Sequence, residues 1–247
     1  MRPIVPLPPE VDRLVDNLAA MPGVIGVVLG GSRAEGVFDA KSDWDIGVYY
    51  RGAVDLAALR AWGEVHPPGS WGRLMNGGAW LSVGGAEVDV ILRDAAVVEH
   101  WTDLAEVGEF EVDGLLAYLA GVPTYSLAAE RHAARVLRGE TPRGIDFPER
   151  LAETATARWR WCSRFTLEQA QARAERGDVV GASGQAARAI IEEAHARLCA
   201  RREWVLNEKR IVERAGLTEV PRVFAGAPEE ARALVEWVGR IGAALET

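Results

Sequence analysis

Apolar positions recur along the chain with two different periods. Residues 9–20, PEVDRLVDNLAA, place Val11, Leu14, Val15 and Leu18 on one side of an amphipathic helix. A continuous run follows at residues 24–29, VIGVVL, and ends in Gly30-Gly31-Ser32, which predicts a buried strand turning into a helix. Residues 45–50 and 86–92 carry the same dense apolar pattern and predict two more strands. Between them, residues 53–63 read as helix and the glycine-rich residues 76–85 as a hairpin. This alternation predicts a mixed α/β first half.

Beyond about residue 127 the strand signals stop. Residues 127–137, 148–176, 179–201 and 208–215 have helical periodicity, with breaks at Gly139, Pro142, Gly177-Asp178 and Gly216. The expected fold is therefore α+β: a short mixed sheet flanked by helices over residues 1–140, then a helical bundle over residues 141–247. The turn-rich stretch GETPRGIDF, residues 139–147, is the expected linker. No internal repeat or low-complexity tail is present.

Composition narrows the function. The 247 residues are 49% hydrophobic and 26% charged, enough for a substantial core. No stretch approaches the roughly 18 apolar residues of a membrane helix, and prolines crowd the N-terminus where a signal peptide would need an apolar helix. A cytoplasmic protein is expected. The net charge of −8 disfavours a broad nucleic-acid footprint and suits a cationic small partner. Cys162 and Cys199 lack metal-type spacing and are expected as reduced thiols, and the four histidines are too scattered for zinc. Among 28 basic residues only Lys41 and Lys209 are lysines, which marks them as candidate phosphate ligands beside the reading as solvated residues.

Chemistry concentrates in two stretches, GGSRAEG at residues 30–36 and KSDWDIGVYY at residues 41–50. A strand ending in Gly-Gly-Ser brings backbone N–H groups close to an anion, and the Ser32 hydroxyl can add to them. Asp43 and Asp45 are two apart on a strand and share a face, while Trp44 and Ile46 take the other. Two such carboxylates beside a phosphate cradle suit Mg²⁺, which prefers hard oxygen ligands and completes its shell with phosphate and water. A two-metal site, with ions about 3.5 to 4 Å apart, needs a further acid. Glu87-Val88-Asp89-Val90 supplies it: Asp89 as metal ligand, and Glu87 as its polar neighbour or as general base for an attacking hydroxyl. Trp62, Trp71, Trp80 and Trp101 can stack on a sugar or base, although core packing is the commoner use of tryptophan.

These residues resemble the nucleotidyltransferase superfamily that shares its fold with DNA polymerase β. The resemblance is specifically to its small antibiotic-modifying and minimal bacterial branch, which includes the aminoglycoside and lincosamide adenylyltransferases. The resemblance rests on GGSRAEG, the D-x-D in SDWDIGVYY and the later EVDVIL. It implies transfer of a nucleoside monophosphate from a nucleoside triphosphate, ATP by preference, to a hydroxyl of a small acceptor, with Mg²⁺ and release of pyrophosphate. It implies metal binding by Asp43, Asp45 and Asp89, and nucleotide binding by Gly31, Ser32 and Arg33. The segment GQAARAIIEEAHARLCARREWVLNEKR is similar to the helical domain of such enzymes and offers Lys209 to the triphosphate. Monomers and homodimers both occur among them. A toxin–antitoxin type nucleotidyltransferase acting on a macromolecular partner is the alternative reading. No Walker loop or nucleophile elbow is present, so Ser32 is expected as a phosphate ligand rather than a nucleophile.

Overall fold

The computed structural model describes residues 6–36, 38 and 42–247; Lys41 lies outside the described residues. Helix α1 (Pro9–Ala19) forms as its stripe predicts, with Val11, Leu14, Val15 and Leu18 all buried. After it come β1 (Val24–Leu29), α2 (Gly31–Glu35), β2 (Trp44–Tyr50), β3 (Gly63–His66), α3 (Gly72–Met75), β4 (Gly78–Val83), β5 (Ala86–Asp94) and α4 (Ala95–Glu106). The chain continues through β6 (Val112–Asp113), β7 (Val122–Pro123), α5 (Ser126–Ala133) and β8 (Arg135–Gly139). It ends in α6 (Glu149–Ala174), α7 (Val179–Ala200), α8 (Ile211–Arg214), α9 (Val220–Phe224) and α10 (Ala231–Glu246). This is the expected α+β class.

Six strands form one mixed sheet in the order β3-β4-β5-β2-β1-β8. The β2–β5 pair is parallel and every other pair in that sheet is antiparallel. Alternation sorts its two faces. Val27 and Leu29 of β1, Trp44, Ile46 and Val48 of β2, Ala79 and Leu81 of β4, and Val88, Val90 and Leu92 of β5 share one core with α1. The opposite face carries Asp45, Gly47 and Tyr49 beside Asp89, Ile91 and Arg93.

Two compact units divide the chain, one of Met1–Asp103 with Leu127–Asp146, the other of Leu104–Ser126 with Phe147–Thr247. The division is interleaved, whereas the periodicity suggested a single boundary near residue 140. In the second unit, α6 and α7 carry alanines where they bury: Ala170 and Ala174 on one, Ala182, Ala186 and Ala194 on the other. Small side chains let helices approach closely, and Leu234, Trp237, Val238 and Ile241 of α10 fill the remaining space. Another cluster gathers Tyr125, Phe147, Leu151, Trp159 and Cys199. Both cysteines are free thiols. Burial pushes Cys199 up to about 12.

Several sequence expectations are corrected. Residues 127–137 are not one helix: α5 stops at Ala133 and Arg135–Gly139 becomes β8, paired with β1. Ala and Arg there favour helix locally, but the open edge of β1 needs a hydrogen-bonding partner, and Arg138 bonds Asp12 and Asp16 of α1, each at 2.8 Å. Residues 53–63 hold only a 3₁₀ turn at Ala57–Ala61 before β3 begins. Residues 208–215 shorten to α8, and α4 and α10 are helices beyond those expected. No described helix is long and apolar enough to cross a membrane.

Candidate active site

The Gly-Gly-Ser turn and the D-x-D strand are built against each other. The Gly30 N–H donates to the Asp45 carbonyl at 2.8 Å, which ties the end of β1 to the start of β2. Gly31 has φ +59°, and a Cβ placed there would fall 1.7 Å from Asp45 Oδ2. The carboxylate thus occupies the space that any side chain at Gly31 would need, and only glycine satisfies both the left-handed backbone and the close approach. The first bond of α2 runs from the Ala34 N–H to the Gly30 carbonyl at 3.2 Å, so the N–H groups of Gly31, Ser32 and Arg33 precede the helical ladder. Gly36, with φ 77°, ends this short helix in the left-handed region.

Parallel pairing of β2 with β5 places Asp45 directly opposite Asp89. Residues opposite one another in adjacent strands point to the same face. Both are half-buried, and neither lacks a polar or charged neighbour. Glu87, two residues before Asp89 on the same face, is exposed and stands opposite Ser82 of β4. Asp43 is exposed and immediately precedes β2. Among the described residues no three acidic, histidine or cysteine side chains converge into a closed metal-binding group. The Asp45–Asp89 pair nevertheless fits magnesium, which commonly takes one or two carboxylates and leaves the rest of its octahedron to phosphate and water.

Arg33 acts on the loop that presents Asp43. Its Nε and Nη2 donate to the Ser42 carbonyl at 3.2 and 2.6 Å, and Nε also donates to the Asp43 carbonyl at 3.0 Å. The guanidinium lies 4.1 Å from the Trp44 ring centre and 5.0 Å from that of Phe38. Two further groups stiffen the site face. Arg93, almost fully buried on β5, bonds both carboxylate oxygens of Glu130 of α5 and the carbonyls of Met75 and Leu92. Burial, then Glu130, raises the Tyr49 hydroxyl well above its ordinary range, so Tyr49 stays neutral beside that pair.

Lys209 belongs to the second unit, where it is exposed and its backbone N–H donates to Asn207 Oδ1 at 2.9 Å. Trp101 is buried, Trp62 is part-exposed, and Trp80 is half-exposed on the face that carries Asp89. The alternation across residues 78–83 held that signal for Trp80, since it sets Trp80 and Ser82 on the face opposite Ala79 and Leu81. Arg93 and Glu130, far apart in sequence, had no such signal.

The geometry is that of a glycine turn packed against Asp45, which stands in register with Asp89 on a mixed sheet. Residues 11–107 match the family model of the nucleotidyltransferase domain. That match spans most of the sheet and every candidate residue except Lys209, and it supports a transferase. A solved structure, a nucleotidyltransferase-like protein from Exiguobacterium sibiricum 255-15, is similar with a TM-score of 0.48 and 12% identity, covering 96% of this chain and 73% of that one. No curated protein matches the chain.

Proposed function

We propose that the protein transfers a nucleoside monophosphate, AMP from ATP, to a hydroxyl of a small cationic acceptor of the aminoglycoside kind, and releases pyrophosphate. The in-register pair Asp45–Asp89, packed against Gly31, carries this reading. Phosphoryl transfer asks little covalent chemistry of a protein; it needs positioning and charge neutralisation. The N–H groups of Gly31, Ser32 and Arg33, with the Ser32 hydroxyl, hold the leaving phosphates. The acceptor oxygen bonds to the α-phosphorus, the bond from that phosphorus to the bridging oxygen breaks, and the hydroxyl proton passes to Glu87. Asp43, Asp45 and Asp89 would hold magnesium, which would supply charge neutralisation on the triphosphate and lower the pKa of the attacking hydroxyl.

The alternative is a macromolecular acceptor. It draws on α6, where Trp161 and Phe165 are exposed and stacked at 5.4 Å beside the exposed Arg160 and Arg164. Pyrophosphate release measured with each nucleoside triphosphate, Mg²⁺ and a panel of hydroxylated antibiotics separates the two. Acceptor-dependent release that drops by about 100-fold or more in Asp45→Asn supports the small-molecule reading. Triphosphate binding without release across the panel favours the macromolecular one, and full activity in Asp45→Asn sinks the site assignment.

A further inference from the structure

The row that begins with Asp45 and Asp89 continues into aromatic residues. Trp80 of β4 stands opposite Asp89, and Glu64 of β3 stands opposite Trp80. One face of the sheet therefore presents Asp45, Asp89, Trp80 and Glu64 in that order, in steps of about 4.8 Å. The Trp80 ring stacks on Trp71 at 5.4 Å, and His66 meets Trp80 and Trp71 at 4.5 and 4.9 Å. A Cβ on residue 78 would fall 1.9 Å from the Val90 carbonyl oxygen and 2.9 Å from the Trp71 ring, so glycine there leaves room for both. Trp80 is thus held by two other rings yet stays 50% exposed. A large apolar surface fixed in this way loses little freedom when something stacks on it.

Order along the row assigns the occupant. The phosphate turn, Gly31-Ser32, packs on the Asp45 side. Displacement at phosphorus is in line, so the acceptor enters opposite the leaving pyrophosphate, from the Asp89 side. Its body then lies over β4. We propose that Trp80, backed by Trp71 and His66 and flanked by Glu64 and Glu87, is the acceptor platform, and that it takes an amino-substituted, hydroxylated ring. This rests on the transfer reading above for its direction along the row. The apolar side of a sugar ring stacks on indole, an ammonium gains from the indole face, and the two glutamates offer charged partners to further amines. A nucleobase also stacks on indole, but a base belongs with the triphosphate, and its presence here is an outcome of the test.

The experiment is calorimetric binding of kanamycin, a polyamine, and raffinose, a neutral sugar of similar size, to the full chain without turnover. Kanamycin binds and raffinose does not. Trp80→Ala weakens kanamycin about tenfold or more, Trp80→Phe restores most of the loss, and Glu64→Gln weakens it several-fold, while Mg·ATP affinity stays within about twofold throughout. Absence of kanamycin binding to the native chain overturns the proposal. So does an affinity in Trp80→Ala within about twofold of native, or an equal loss of Mg·ATP affinity, which would give the ring to a nucleobase. Trp80-dependent kanamycin binding with no pyrophosphate release would uphold the platform and sink the transfer reading instead.

Discussion

Gly31 joins two demands that are usually separate, a left-handed backbone at φ +59° and direct contact with the Asp45 carboxylate. Alanine there would be strained by about 1 kcal/mol or more from the backbone alone, and its methyl would overlap Asp45 Oδ2. The carboxylate must then move out of register with Asp89. Gly31→Ala is therefore expected to lower transfer activity far more than stability. Turnover and urea unfolding measured on the same sample check this; activity retained in a folded variant would show that Asp45 needs no fixed place. Ser32 and Arg33 invite a different comparison. The serine is half-buried at the turn, whereas the Arg33 guanidinium is spent on the carbonyls of Ser42 and Asp43. Arg33 positions the loop before it could serve a phosphate.

At the scale of elements, the α6–α7 pair holds a histidine that the site does not use. His195 is buried, its ring nitrogens have no hydrogen-bond partner, and it stacks on Trp159 at 4.5 Å. Burial, helped by Arg214, pulls its ring from the ordinary 6.5 down to about 3. Between those values the unfolded chain takes up a proton that the folded chain does not, so stability is full above 6.5 and falls as the pH drops. From pH 7 to pH 5 this ring alone removes about 2 kcal/mol. His195→Phe keeps an aromatic ring against Trp159 and should show a flatter dependence in urea titrations at the two pH values; an identical slope would place the sensitivity elsewhere. Asp178 and Glu230, which accept backbone N–H bonds at the starts of α7 and α10, titrate below the ordinary carboxylate range and leave this window clear. The same helices show what periodicity can read. Long alanine-rich stripes marked α6 and α7 to within two residues at each end. RVLRG could not be marked as β8, because its strand state depends on β1, distant in sequence. Asp43 precedes β2 rather than lying on it with Asp45, whereas the turn at Gly31-Ser32 and the shared face of Glu87 and Asp89 were legible, the latter because spacing on one strand fixes a face. The alignment of Asp89 with Trp80 was not, since register between strands is set by pairing rather than by either segment alone.

Across the whole molecule, charge decides how a triphosphate can bind. Asp43, Asp45, Glu87 and Asp89 lie on or beside one sheet face in a chain of net charge −8, so an anionic ligand meets repulsion unless a cation comes with it. A ligand that binds only the folded state stabilises it by about 2.7 kcal/mol at 100 times its dissociation constant. In a chain of this size that corresponds to a rise of several degrees in Tm, at about 2 to 4 °C per kcal/mol. ATP with Mg²⁺ is expected to give that rise and ATP with a chelator to give none. Asp45→Asn should lose most of the magnesium-dependent part, because it removes one of the two aligned carboxylates while the Gly31 turn stays intact. Lys209→Ala separates the contributions of the two units: a smaller rise in that variant means that the helical unit contributes to holding the triphosphate, and an unchanged one assigns nucleotide binding to the sheet unit. A rise of equal size with and without the chelator would mean that the phosphates are held by N–H and guanidinium groups alone, and the carboxylate pair would need another role.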